Sequence, residues 1–197
     1  LSLQLGNTSD AVMHLEHSLA LKQQAVGRED RDAWRKELAD TQSWIGMALG
    51  SLGRLDEAAK HFSDAINELA PIVARNKENK GWAVQLASFR QLEARLNLSR
   101  GLPDQAKISI AQALESMELL ANGPSADHGW IYGLASAHQI AGDCERVLGN
   151  RSASEQHYIR ALEILETIRG DGTDARQRRL KAVIGLGLFR LHGTVAK

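Results

Sequence analysis

The frame W-x-x-x-L-A stands three times in this chain, at Trp34-Leu38-Ala39, Trp82-Leu86-Ala87 and Trp130-Leu134-Ala135, each copy 48 residues after the last. A Gly follows each Trp by 19 residues, at Gly53, Gly101 and Gly149. Self-similarity at a period of about 20 to 50 residues restricts a chain to stacked repeats, since one such unit cannot bury its own apolar face and must lean on its neighbours. Inside the period the apolar residues recur at intervals of three and four. Trp34, Leu38, Thr41, Ile45, Ala48, Leu49 and Leu52 make one stripe on a helix of about 20 residues. Gly53 then supplies the left-handed residue that ends it. The sequence therefore predicts an all-α fold of paired antiparallel helices.

In chain order the pattern divides into a partial unit 1–27, three units 28–75, 76–123 and 124–171, and a partial unit 172–197, read as a single array of about eight helices. Because the chain starts at Leu1, inside the pattern, it is expected to be a piece excised from a longer protein. The first helix is predicted to span about 17 residues from an N-cap at Ser9 or Asp10, carrying Ala11, Val12, Leu15, Leu19 and Val26. The helix that starts near Asp56 is expected to kink or stop at Pro71, which lacks a backbone donor and clashes with the preceding turn. Pro103 suits a helix start. Asn122-Gly123-Pro124-Ser125 is loop chemistry. A last helix is expected from about Thr173 to Leu191, with Arg178 where the Trp would stand.

Small residues occupy the positions where two helices of a hairpin must approach: Gly46, Ala94 and Gly142 on the first helix, Ala58, Ala106 and Ser154 on the second. Large residues Phe62, Ile110 and Tyr158 follow, then Ala65, Ala113 and Ala161. This small-large-small rhythm, with Gly at the hairpin turn, resembles the tetratricopeptide repeat (TPR). The phrase from Leu49 to Ala59, LGSLGRLDEAA, is its most specific part. The TPR unit is about 34 residues, so units of 48 need longer helices. Long units of this kind resemble arrays attached to bacterial signalling proteins, among them Ser/Thr kinases, winged-helix DNA-binding regulators and multidomain ATPases. The resemblance implies a right-handed superhelix (solenoid) whose first helices line a concave groove that receives a partner protein or peptide.

On that reading the groove residues are Asp40, Trp44, Met47 and Ser51, their equivalents Ser88, Leu92, Arg95 and Ser99, and then Ser136, Ile140 and Asp143. Trp44, Leu92, Ile140 and Leu188 form a row of apolar ribs. Such ribs are either buried against the neighbouring helix or form the floor of the groove. The clamp of basic side chains that some TPR grooves close on a C-terminal carboxylate is not carried over, since Ser43, Met47, Leu92, Ser136 and Ile140 hold no basic group. The expected role is a non-catalytic interaction module, a scaffold or adaptor. The alternative is a regulatory sensor or self-association arm, working through apolar faces at the array ends, that controls an attached kinase, ATPase or DNA-binding domain.

The charge balance, 24 basic against 24 acidic side chains, argues against duplex nucleic acid or an anionic membrane as partner. A one-base-per-unit RNA code would need polar readers at one repeated position, where Met47, Arg95 and Asp143 alternate irregularly. No apolar run approaches the roughly 20 residues of a membrane span. The one cysteine, Cys144, excludes an internal disulfide and is compatible with a reducing compartment such as the cytoplasm. It falls on an apolar stripe position, which predicts a buried, inert thiol.

No enzyme is expected, because no nucleophile, base and stabilising group share an inferred face. No cofactor or metal is expected either. His14, His61 and His157 share one repeat position and read as a repeated surface choice, and His14 with His17 supplies two ligands where zinc takes three or four. Asp171, Thr173 and Asp174 read as helix capping, and Gly185 and Gly187 as close helix packing. Arg176, Arg178, Arg179 and Lys181 read as a solvated face.

Overall fold

The computed structural model describes residues 5–29, 31–121, 127–168 and 175–193. It contains eight α-helices among the described residues, and no strand: α1 (Leu5–Arg28), α2 (Asp32–Ser51), α3 (Leu55–Arg75), α4 (Lys80–Ser99), α5 (Pro103–Ala121), α6 (His128–Val147), α7 (Arg151–Thr167) and α8 (Ala175–Gly193). The chain forms two compact units, Leu1–Arg100 and Gly101–Lys197. In the first, α1 packs on α2, α2 on α3 and α3 on α4; in the second, α5 packs on α6, α6 on α7, and α8 on both α6 and α7. The predicted loop 122–125 and the capping residues Thr173 and Asp174 lie outside the described residues.

Helix ends follow the repeat. Gly53, Gly101 and Gly149 have φ of 76°, 72° and 82°, a conformation that costs any residue with a Cβ. After α2, the amide of Arg54 bonds the carbonyl of Leu49 at 3.0 Å and that of Gly53 bonds Gly50 at 3.1 Å. After α6, Asn150 and Gly149 bond Glu145 and Arg146 in the same way. These are paired Schellman bonds, which satisfy the last carbonyls and reverse the chain. At the other ends, Asn79 and Asp127 cap α4 and α6 by accepting the amides of Trp82 and Trp130 at 3.2 and 2.8 Å. The repeated Trp therefore marks the third residue of these helices, where an N-cap oxygen bonds the backbone.

Two expected boundaries move. The helix α1 starts at Leu5, so Ser9 and Asp10 lie inside it rather than capping it. Thr8 and Val12 are both 4% exposed, one turn apart on the same face, and their packing carries the helix further toward the N-terminus than the local cap signal indicates. The helix α3 likewise runs through Pro71 to Arg75. Pro71 and Asn67, whose carbonyl loses its partner, are both exposed, so water can serve that carbonyl. Leu69 and Ile72, fully buried on either side of the proline, hold the last turn against the core. Asp32 completes the anchor by accepting from Arg75 at 2.6 Å and Asn76 at 2.8 Å.

Each unit has its own core, built by the small-large-small positions. In the first unit Phe62 lies over Gly46, where an added Cβ would come within 3.0 Å of its ring. Val12, Ile45, Leu49, Ala58 and Leu96 close around it. A second cluster joins Ala39, Ala65, Leu69, Ile72, Leu86 and Phe89. In the second unit the buried Tyr158 is clasped between two glycines, since a Cβ on Gly142 or Gly187 would meet its ring at 2.7 or 2.6 Å. Its hydroxyl donates to Asp143 at 2.6 Å, while Ser154 donates to the Gly142 carbonyl at 2.7 Å. Gly187 thus has the close-packing role expected of it, whereas Gly185 faces open space.

Candidate functional site

The residues that the sequence sets along the inner face fall into two groups, one in each unit. On α2, Trp44 is 59% exposed and Met47 43% exposed, while Ile45 and Leu49 beside them are buried. Trp44 and Met47 are thus apolar side chains that α2 leaves in solvent. Polar groups frame them. Asp40 takes Lys36 at 2.6 Å on its own helix and Gln85 of α4 at 3.1 Å, which ties the two first helices together. The bond to Asp40, against the cost of burial, raises the pKa of the Lys36 ammonium. Ser51, Ser88 and Ser99 turn their hydroxyls to carbonyls of their own helices, Ala48, Val84 and Arg95. Arg95 is exposed.

The ribs do not share one fate. Trp44 stands in solvent, Leu92 is partly buried against the Phe62 cluster, and Ile140 is completely buried. Leu188 is partly buried. In the second unit Asp143 is engaged, accepting from Tyr158 and Gln139 and lying 3.7 Å from Arg146. Ser136 is half-buried. The exposed apolar surface of the predicted row is thus concentrated on α2.

The histidines are a correction. His14 is exposed, but His61 and His157 are half-buried and face inward. His61 contacts Gln42 Oε1, and His157 Nδ1 lies 3.1 Å from His138 Nδ1, with 5.3 Å between ring centres. Gln42 and His138 hold the same repeat position, each 19 residues before its histidine. A surface reading missed this because a half-polar ring is admitted to a helix interface once a partner meets it. Burial lowers the pKa of His61 and His157, and takes that of His138 to about 4, with the neighbouring His157 and Arg160 adding to the effect. Beside this pair, Glu145 accepts Lys107 at 2.8 Å, and Glu118 lies 4.0 Å from His138 Nε2.

Cys144 is buried as expected, and burial pushes its thiol up to about 12, with Asp143 and Glu145 contributing. Arg176, Arg178, Arg179 and Lys181 are all exposed on α8. Among the described residues no group of three His, Cys, Asp or Glu side chains could hold a metal ion, and no helix is long and apolar enough to cross a membrane.

The fold class is all-α, with helix pairs built on a repeat. Among solved structures the chain is similar to BtubC (BKLC) from P. vanneervenii, with a TM-score of 0.59 and 16% identity over 96% of this chain and 83% of that one. At that identity the likeness shows the fold alone. A second similar structure, the DHF119 filament, has a TM-score of 0.37 and 12% identity over 98% of this chain and 100% of that one. No family model matches the sequence, and no curated protein matches it.

Proposed function

We propose that this chain is a non-catalytic interaction module of the TPR type, a scaffold that holds a segment of a partner protein against the inner face of its first helices. The observation that supports it is the exposure of Trp44 and Met47 on α2. Burying an exposed Trp on a rigid helix gains apolar contact at little cost in side-chain entropy, which makes tryptophan a common binding anchor. Asp40, Ser51, Ser88, Arg95 and Ser99 supply a polar rim that would fix the register of an extended or helical segment.

The test compares wild type with a Trp44→Ser, Met47→Ser variant in affinity capture read by mass spectrometry. Capture lost with the variant, at unchanged helical CD and nearly unchanged melting temperature, is the expected result. Equal capture by both proteins, or none by either, would remove the α2 face from consideration. Leu92 is unsuited to this test, because its contact with the core cluster ties binding to stability.

A second reading, a self-associating regulatory arm, draws support from α8. There Val183, Leu186 and Phe189 are 42%, 48% and 72% exposed along one side of the helix. In that case the mass from light scattering would rise with concentration, and Phe189→Ser would return it to the monomer value.

A further inference from the structure

In each described hairpin the first helix lays one stripe against the second. On α2 the stripe is Arg35, Ala39, Gln42 and Gly46, spaced by three and four residues. Its partners on α3 are defined: Arg35 bonds Glu68 at 2.8 Å, Ala39 shares a cluster with Ala65, Gln42 meets His61, and Gly46 lies under the ring of Phe62. One turn earlier, Asp32 accepts Arg75 at 2.6 Å. The second unit keeps this register. Ile131 and Ile164 line one small cavity, His138 meets His157, and Gly142 lies under Tyr158.

On α8 the same repeat positions hold Arg179, Val183, Leu186 and Arg190. All four are exposed. The helix packs on α6 and α7, and its buried residues are Leu180, Ile184, Gly187 and Leu191, on a different face. Phe189, 72% exposed, borders the open stripe. The register states what a covering helix must carry. Arg179 repeats Arg35, which receives a carboxylate. Arg176 stands where α2 has Asp32, so the Arg75 that Asp32 accepts must give way to an acidic residue. Leu186 replaces a Gln or His that meets a histidine, and so calls for an apolar residue. Arg190 replaces the glycine that admits an aromatic ring, and so leaves room only for a small one. Exposed Arg178 and Lys181 add positive potential to the same half of α8.

We propose that the open stripe of α8 docks an amphipathic helix of an acidic partner protein, antiparallel to α8, with an apolar residue on Leu186 and carboxylates, seven residues apart, at Arg179 and Arg176. Antiparallel helices meet along such a three-four seam, and opposite charges along it fix partner and direction. A second copy of this chain fits less well. Its α1 is the equivalent of α3, and offers Leu21 in the place of Glu68 and Arg28 in the place of Arg75. The site is separate from the α2 face.

The probe is a labelled synthetic peptide of the α3 sequence, Leu55–Arg75, carrying His61→Leu, Phe62→Ala, Pro71→Ala and Arg75→Glu. It keeps Glu68, and loss of the proline favours the helix. Its fluorescence anisotropy is read against the full chain at low, constant ionic strength. Saturable binding is expected below about 100 μM peptide. Arg179→Glu should weaken it about fivefold or more, and a peptide with Glu68→Lys should recover binding to that variant. Leu186→Asp should weaken it about tenfold or more. Trp44→Ser, Met47→Ser, altered on the α2 face, should bind within about twofold of wild type, so this test and that of the α2 face succeed or fail separately. All four substituted positions except Ser-replaced Trp44 and Met47 lie on α8, and all are exposed. The proposal is overturned if the peptide does not saturate, if Arg179→Glu binds it like wild type, or if the reversed peptide is not recovered. A mass that rises with concentration, and that the peptide does not return to the monomer value, would give the stripe to a second copy and overturn it too.

Discussion

Lowering the pH from 7 to 5 should loosen the second unit more than the first, where His61 is the one histidine whose pKa burial is shown to lower. His138 is 7% exposed, and its Nδ1 meets that of His157 at 3.1 Å, so one ring donates and the other accepts. Protonating both would aim two N–H groups at each other. Burial takes the pKa of His138 from the ordinary 6.5 to about 4. Between those two values the unfolded chain binds the proton and the folded one does not. The stability is therefore present above pH 6.5 and is lost as the pH falls toward 4, because ν is larger in the unfolded state. Linkage across this gap gives a loss of about 2 kcal/mol between pH 7 and pH 5. The depressed pKa of His157 acts in the same direction.

The first unit is an internal control, since Gln42 stands there in place of His138 and faces His61. Hydrogen exchange read by mass spectrometry, corrected for intrinsic rates, should show protection in α6 and α7 falling by about thirtyfold at pH 5, the equivalent of that free energy. Protection in α2 and α3 should change much less. The variant His138→Gln recreates the pairing of the first unit, and should remove most of the acid loss. Unchanged protection of α6 and α7 at pH 5, or an equal pH response in His138→Gln, would refute the reasoning.

Two further outcomes follow from the packing. Gly142→Ala should destabilise by about 1 to 3 kcal/mol through overpacking, because its Cβ would come within 2.7 Å of a Tyr158 ring clasped from the other side by Gly187. Gly185→Ala, with nothing within 4 Å of its Cβ, should be neutral or stabilising; equal melting temperatures for the two variants would contradict the clasp. With its thiol pushed up to about 12 and no exposed surface, Cys144 should react with iodoacetamide at pH 8 at least a hundredfold slower in the folded protein than in urea. A native rate close to that in urea would show that α6 opens readily.

The 48-residue period determined much of this protein before any contact was known. It predicts the helix class, the number of helices, the glycines that reverse the chain, and the alternation of small and large residues at Gly46, Ala58 and Phe62 and at Gly142, Ser154 and Tyr158; that each aromatic ring lies on the glycine itself came from the structure. The predicted features depend on backbone conformation and side-chain volume, which are local properties repeated at fixed spacing. Half of the buried residues of α2 were legible for the same reason, as Leu38, Thr41, Ile45 and Leu49 follow the helical period. Trp34, on the predicted stripe, is 41% exposed, whereas Trp82 at the same repeat position packs against the second cluster.

Tertiary structure decided what periodicity cannot. Trp44 and Ile140 occupy one repeat position, yet one stands in solvent and the other is fully buried, because burial depends on the elements that cover a residue and not on its place along its own helix. The same is true of His61 and His157, whose polar rings turn inward only because Gln42 and His138 meet them from the facing helix. The continuation of α3 past Pro71 depends on Leu69 and Ile72 finding a core to hold them.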